Sequence, residues 1–241
     1  MKHISKNPAE PQAFADWKAA NQEQIGRYHT DSATGDRIWN LLPSNMPNPE
    51  TGVEEVALYS KAQLRKALLV EQGYLCCYCN QRIEDAHTTP IEHFKPKGIA
   101  SYRHQVFDYQ NLFACCDGGE RDTAKPRQTC CTLFKGNNDP VHPDHIISPL
   151  EPDCLDFFEF DEQGQIHPAN RNERAEKTIA FLNLSAKRLN LQRQEAIDTY
   201  IFNVWTEDMD TLGELTRLMT PVNGRLEPFC SAIYSVLRQY P

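Results

Sequence analysis

Nine cysteines occur in 241 residues, seven of them between positions 76 and 131 and six of those seven in adjacent doublets. An odd number cannot all pair as disulfides, and a reducing compartment does not sustain them, so metal ligation is the better use for most. Cys76 and Cys79 stand in Cys-x-x-Cys register, the tight turn that lets two sulfurs face one ion at about 2.3 Å, and Cys116 with Cys131 complete a closed four-thiolate zinc site. Cys76 is preferred to Cys77 because only it has that spacing to Cys79. Cys77, Cys115, Cys130, Cys154 and Cys230 are then expected as buried small hydrophobes.

Between the two halves of this site lies Glu92-His93. Phosphodiester hydrolysis needs a water deprotonated near neutral pH and a divalent cation to absorb charge on the phosphoryl group. A histidine, ordinarily neutral at pH 7 in large part, serves as the base, and a neighbouring carboxylate is the hard oxygen ligand that Mg²⁺ prefers. Adjacent strand residues face opposite ways, but at a strand end both approach one phosphate. Asn111 is expected to orient the histidine or its loop, and Lys135 to contact phosphate, with Lys95 and Lys97 as further candidates. His87, His104, His142 and His145 lack this context and are read as surface residues.

The formal net charge is -8, which excludes indiscriminate binding to nucleic acid, since that affinity comes from neutralising phosphates with Lys and Arg. Its distribution is uneven. From Ile91 to Lys135 seven basic residues stand against five acidic ones, a net of +2, leaving about -10 for the remainder. The positive window thus surrounds the acid–histidine pair, and acidic flanks keep nucleic acid out until a partner admits it. The opening residues lack the apolar stretch of a secretory signal, and no run approaches the roughly 18 apolar residues of a membrane span, so a cytoplasmic protein with no membrane partner is expected.

Helical spacing is read over 11–21 (Phe14, Trp17), 36–42 (Ile38, Trp39, Leu42) and 61–72, the last capped by Ser60 and ended by Gly73. A loop rich in Pro and Asn runs over 43–52. Two short strands are expected to flank Glu92-His93. A solvent-facing loop holds Asp117-Gly118-Gly119 and Lys125-Pro126-Arg127. Phe157 to Asp161, a turn at Glu162-Gln163-Gly164 and Gln165-Ile166 read as a hairpin. Helices follow over 173–183, 186–207, 209–219 and 228–240.

The series Cys76-Cys77-Tyr78-Cys79, Ile91-Glu92-His93-Phe94-Lys95-Pro96-Lys97, Asn111-Leu112-Phe113, Cys131 to Lys135-Gly136-Asn137, Ser148-Pro149-Leu150 and Leu182-Asn183-Leu184 covers roughly residues 60–195. It resembles the HNH endonucleases of PtuB-like type found in Septu and retron anti-phage systems. The resemblance implies an α+β fold in which a small ββα-metal HNH core with structural zinc, over 74–140, is embedded between an N-terminal helical segment, 1–73, and a β-hairpin with C-terminal helices, 141–241. It implies nuclease action on DNA or RNA as the toxic effector of a defence complex, controlled by a PtuA-type ATPase. In a retron setting it also implies a reverse transcriptase with its RNA-linked DNA. One position departs from the pattern. Many HNH enzymes place Asn or His directly after the last cysteine as a further metal ligand, and here that residue is Thr132; completing the Mg²⁺ shell is left to Asn111, Asn138 or water. Two other uses of the same residues are a noncatalytic zinc module that recruits nucleic acid or protein, and a thiol-based redox sensor.

Overall fold

The N-terminal third forms helices where apolar residues recur at helical spacing. In α1 (Gln12–Ala20) Phe14 and Trp17 are buried, and α2 (Gln22–Thr30) continues beyond the turn at Asn21. The short α3 (Gly35–Trp39) stops three residues before Leu42, the end anticipated from its spacing. The computed structural model describes residues 1–30, 34–45, 59–119, 128–142, 145–204 and 209–239. Residues 46–52 of the Pro- and Asn-rich loop, Arg121, the stretch Lys125-Pro126-Arg127, positions 205–207 and Tyr240 lie outside the described residues.

Ser60 caps α4 (Lys61–Glu71) through a capping box: its side chain accepts from Gln63 N–H, and the Gln63 side chain accepts from Ser60 N–H. Leu64, Leu68 and Leu69 point inward. The chain then turns through Gly73 and Tyr74, both at positive φ, into the Cys76 loop.

Two strands meet across the centre of the sequence. β1 (Ile91–His93) pairs antiparallel with β2 (Leu112–Ala114), with Glu92 opposite Phe113 and His93 opposite Leu112. Glu92-His93 is therefore part of one strand and is not bracketed by two, because the partner comes from beyond the 94–111 excursion. The five-residue helix α5 (Cys131–Lys135) follows. The hairpin forms as β3 (Phe158–Phe160) against β4 (Ile166–Pro168), closed by Gly164 at φ +70°. The helices α6 (Glu173–Phe181), α7 (Lys187–Val204), α8 (Thr211–Leu218) and α9 (Cys230–Leu237) complete the chain.

The protein is thus α+β, with two separate two-stranded sheets among the described residues. One continuous apolar cluster takes residues from all parts of the sequence, from Met1 and Phe14 through Leu68, Phe113 and Phe158 to Leu237. Among the described residues, no helix is long and apolar enough to cross a membrane.

Candidate metal centre and histidine cleft

The Cys76 loop is folded by its own backbone. Cys76 N–H donates to Gln81 O at 2.9 Å and Asn80 N–H to Cys76 O at 3.1 Å, with Asn80 at φ 61°. That turn brings Cys79 round to the side of Cys76. Gln72 clamps it to the strand carrying the next ligand: its Nε2 donates to Leu75 O and Ala114 O, and its Oε1 accepts from Ala114 N–H at 2.8 Å. Cys116 leaves β2 two residues further on. Cys131 opens α5 in the left-handed region, at φ 54°, its N–H bonded to Leu182 O at 2.9 Å. Beneath it Gly118, also at positive φ, sits where a Cβ would lie 2.6 Å from Cys130 O, so only glycine lets the loop close on α5.

Cys76, Cys79, Cys116 and Cys131 come together as a buried group whose sulfurs all lie within 4.8 Å of one another. Four thiolates around a zinc at about 2.3 Å form a tetrahedron with edges of about 3.8 Å. Cys76 Sγ to Cys131 Sγ and Cys79 Sγ to Cys116 Sγ are each 3.9 Å, so the donor set and its size fit that ion. The register inferred from Cys-x-x-Cys spacing selects the same four residues. Burial pushes the Cys76 thiol up, but hydrogen bonds from Cys115, Cys116, Cys131 and Cys77 outweigh it and hold its pKa well below the ordinary value.

Cys79 and Cys131 are pushed up chiefly by burial, and Cys116 by its bonds to Cys115 and Cys130; four sulfurs that bind a metal as thiolates carry net negative charge, and α7 places positive charge beside them. Arg188 Nη2 donates to Cys130 Sγ at 3.2 Å. Burial pulls Arg188 down, while the charges of Cys130, Cys116, Cys79 and Cys131 raise it more. Arg193 is buried close by, donating to Leu184 O at 2.8 Å. Nothing in the local sequence of α7 marks these arginines as partners of cysteines more than fifty residues away. The other five cysteines are buried as anticipated, but Cys77 and Cys115 also form a second close group with Cys76.

Glu92 and His93 share β1 yet engage different surroundings. Lys135 Nζ lies 2.7 Å from Glu92 Oε1, Tyr78 Oη donates to the same oxygen at 3.0 Å, and Thr132 Oγ1 donates to Glu92 Oε2. Lys135 also donates to the His93 carbonyl at 2.9 Å and is only 1% exposed. Its ammonium is therefore tied to Glu92, not presented freely to solvent. Tyr78 is pushed well above its ordinary pKa by burial and then by the Glu92 charge.

His93 Nε2 faces Val106 O at 3.1 Å; a carbonyl only accepts, so Nε2 carries the proton and Nδ1 keeps the lone pair. Trp39 meets the ring edge-on at 4.7 Å between centroids. Burial, helped by the charges of Lys97 and Lys135, pulls the imidazole pKa down to about 3. Asn111 does not face the ring. Its Oδ1 accepts from Lys95 N–H at 2.7 Å and its Nδ2 donates to Lys95 O and Gln105 O, so it staples both ends of the loop that presents Val106. Lys97 pairs with Asp36 at 3.2 Å, and Lys95 lies over the Tyr102 ring. Asn138 donates to Lys135 O at 2.8 Å. His87, His104, His142 and His145 are all exposed.

A cleft of about 280 Å³ opens over this site, lined by Ile91, Glu92, His93, Lys97, Thr132 and Lys135 among others. It has room for a phosphate group and cation, though Glu92 and His93 are each only 5% exposed. Sequence reasoning missed Trp39, Tyr78, Val106 and Thr132 as partners of the pair, since each contact forms only in three dimensions. No family model matches this chain, and no curated protein matches it.

Proposed function

We propose that the chain is a metal-dependent nuclease of the HNH kind, with a structural zinc at Cys76, Cys79, Cys116 and Cys131 and a phosphodiester of DNA or RNA as its substrate. The observation that carries this reading is the fixed tautomer of His93: with Nε2–H held by Val106 O, Nδ1 is an unprotonated base beside a cleft that also has Glu92, Lys97 and Lys135 in its lining. The sequence run from β1 through β2 to α5 supports a small ββα core around the thiolates.

Four tasks fall to the chain's own residues. His93 Nδ1 accepts a proton from the attacking water; because burial is the main cause of its low pKa, useful basicity requires the cleft to open and hydrate the ring, with an anionic substrate offsetting the smaller effects of Lys97 and Lys135. Lys97 holds positive charge at the cleft for a phosphoryl oxygen. Asn111 and Trp39 fix the loop and the ring. Glu92, with Thr132 Oγ1 against it, offers the hard oxygen donors that would hold Mg²⁺, which when bound supplies charge neutralisation on the phosphoryl group. A single carboxylate suits an ion that retains several waters, but this one is already paired with Lys135.

That pairing favours a second reading, a noncatalytic zinc module that recruits nucleic acid or protein. Cleavage of labelled DNA and RNA, with and without Mg²⁺, separates the two. The nuclease reading expects divalent-dependent cutting that disappears in His93→Ala while zinc content and melting are retained. Binding indifferent to Mg²⁺ and to Glu92→Ala, with no cutting, supports the module instead.

The limited exposure of Glu92 and His93 and the net charge of -8 support a chain held back until a partner opens it. From the resemblance we take that partner to be a PtuA-type ATPase in an anti-phage complex, joined in a retron setting by a reverse transcriptase with RNA-linked DNA. Co-expression with such an ATPase is expected to raise cutting by the wild type and not by His93→Ala.

A further inference from the structure

We propose that the thiolate centre is binuclear, with a second zinc ion held by Cys76, Cys77 and Cys115 and the Cys76 sulfur shared between the two ions. The inference rests on the reading of Cys76, Cys79, Cys116 and Cys131 as a zinc site. Cys76, Cys77 and Cys115 are 0–1% exposed, and their sulfurs form a second group within 4.8 Å of one another. Cys76 belongs to both groups. Its Sγ stands 3.9 Å from Cys131 Sγ in the first and 3.5 Å from Cys115 Sγ in the second, both near the separation of about 3.8 Å that two sulfurs keep on one zinc.

Neighbouring residues let one short segment serve two ions. Cys115 and Cys116 follow β2 directly, and each group takes one of them. Cys77 is held beside Cys115 because its N–H is tied to Ala114 O, the residue before it.

Charge balance selects a divalent ion. Zinc with four thiolates leaves a buried charge of -2. A second zinc with two further thiolates, Cys77 and Cys115, leaves it at -2, so occupancy adds no uncompensated charge for Arg188 and Arg193 to offset. A monovalent ion with the same three sulfurs would leave -3.

The test is metal stoichiometry on the full chain, reconstituted with zinc alone under anaerobic, reducing conditions and measured by elemental analysis. Two zinc ions are expected in the wild type and one in Cys115→Ser or Cys77→Ser. A wild type that saturates at one zinc overturns the second site and leaves the first standing; a wild type that folds with none overturns both. Should the serine variants fail to fold, Co²⁺ titration of the wild type decides. A thiolate-to-cobalt absorption that climbs through two equivalents, with the magnetic moment per cobalt falling at the second, supports a shared sulfur. Saturation at one equivalent excludes it.

Discussion

At the scale of single residues, His93 and Lys135 are the most consequential, because each is a titratable group removed from water. His93 is held neutral in the folded chain, with its pKa near 3 against an ordinary 6.5. The unfolded chain therefore binds more protons throughout that window, and stability falls as pH drops through it. The slope approaches about 1.4 kcal/mol per pH unit, so about 2 kcal/mol is lost between pH 6.5 and 5. Urea denaturation at the two pH values checks this, with His93→Gln expected to flatten the difference. Lys135 presents the opposite case, a buried cation paired with Glu92. Lys135→Met leaves that carboxylate buried with its main counter-charge gone and is expected to cost about 3–5 kcal/mol. Adding Glu92→Gln should recover much of the loss, and a double-mutant cycle measures the coupling. If the two substitutions simply add, the pair does not hold the site together. That Glu92 and His93 stand together between the two halves of the cysteine group was legible in the sequence. What holds each of them was not, since Lys135 follows by more than forty residues and Val106 contributes only a backbone carbonyl.

At the scale of elements, the sequence announced helices better than strands. Ser60 with Gln63 is a local capping signal, so the start of α4 could be read directly, and Ser60→Ala is expected to cost about 1 kcal/mol in thermal or chemical unfolding without changing zinc content. The strands are three residues long, too short for an alternating pattern to accumulate, and their pairing depends on closing the 94–111 excursion. Asn111 does that closing, a task its residue type permits but its neighbours do not reveal. Helix α3 shows how an element far from the cysteines enters the site. At Gly35 a Cβ would lie 1.9 Å from Lys97 O, so the helix start packs directly on the loop, and Trp39 at its other end reaches the His93 ring. Gly35→Ala should push α3 away from that loop. On the proposed nuclease reading the expected result is a loss of cleavage with zinc retained, read by cutting assays beside elemental analysis; unchanged cleavage would mean that Trp39 does not position the imidazole.

At the scale of the whole molecule, the thiolate cluster is where distant parts of the sequence are tied together: the loop after α4, the end of β2, the start of α5 and the arginines of α7 all converge on it. The region between Tyr74 and Asn138 has only eleven residues of α-helix and strand among those described, so its order depends on that cluster more than on backbone ladders. An ion bound only by the folded arrangement contributes its binding free energy to folding. Without metal, the buried sulfurs beside Arg188 lose the cation that justifies their approach, and either they take protons or they repel. Stripping metal with a strong chelator in mild denaturant is therefore expected to unfold the centre of the chain, with loss of near-ultraviolet circular dichroism and release of zinc along one time course. The helices of the C-terminal part, packed through the contacts of α7 with α9, should keep far-ultraviolet signal longer. Cys79→Ser and Cys131→Ser should mimic the chelator and yield insoluble protein. Soluble cysteine variants that melt like the wild type would show that apolar packing alone sustains this fold, and that the four sulfurs gather without a metal to hold.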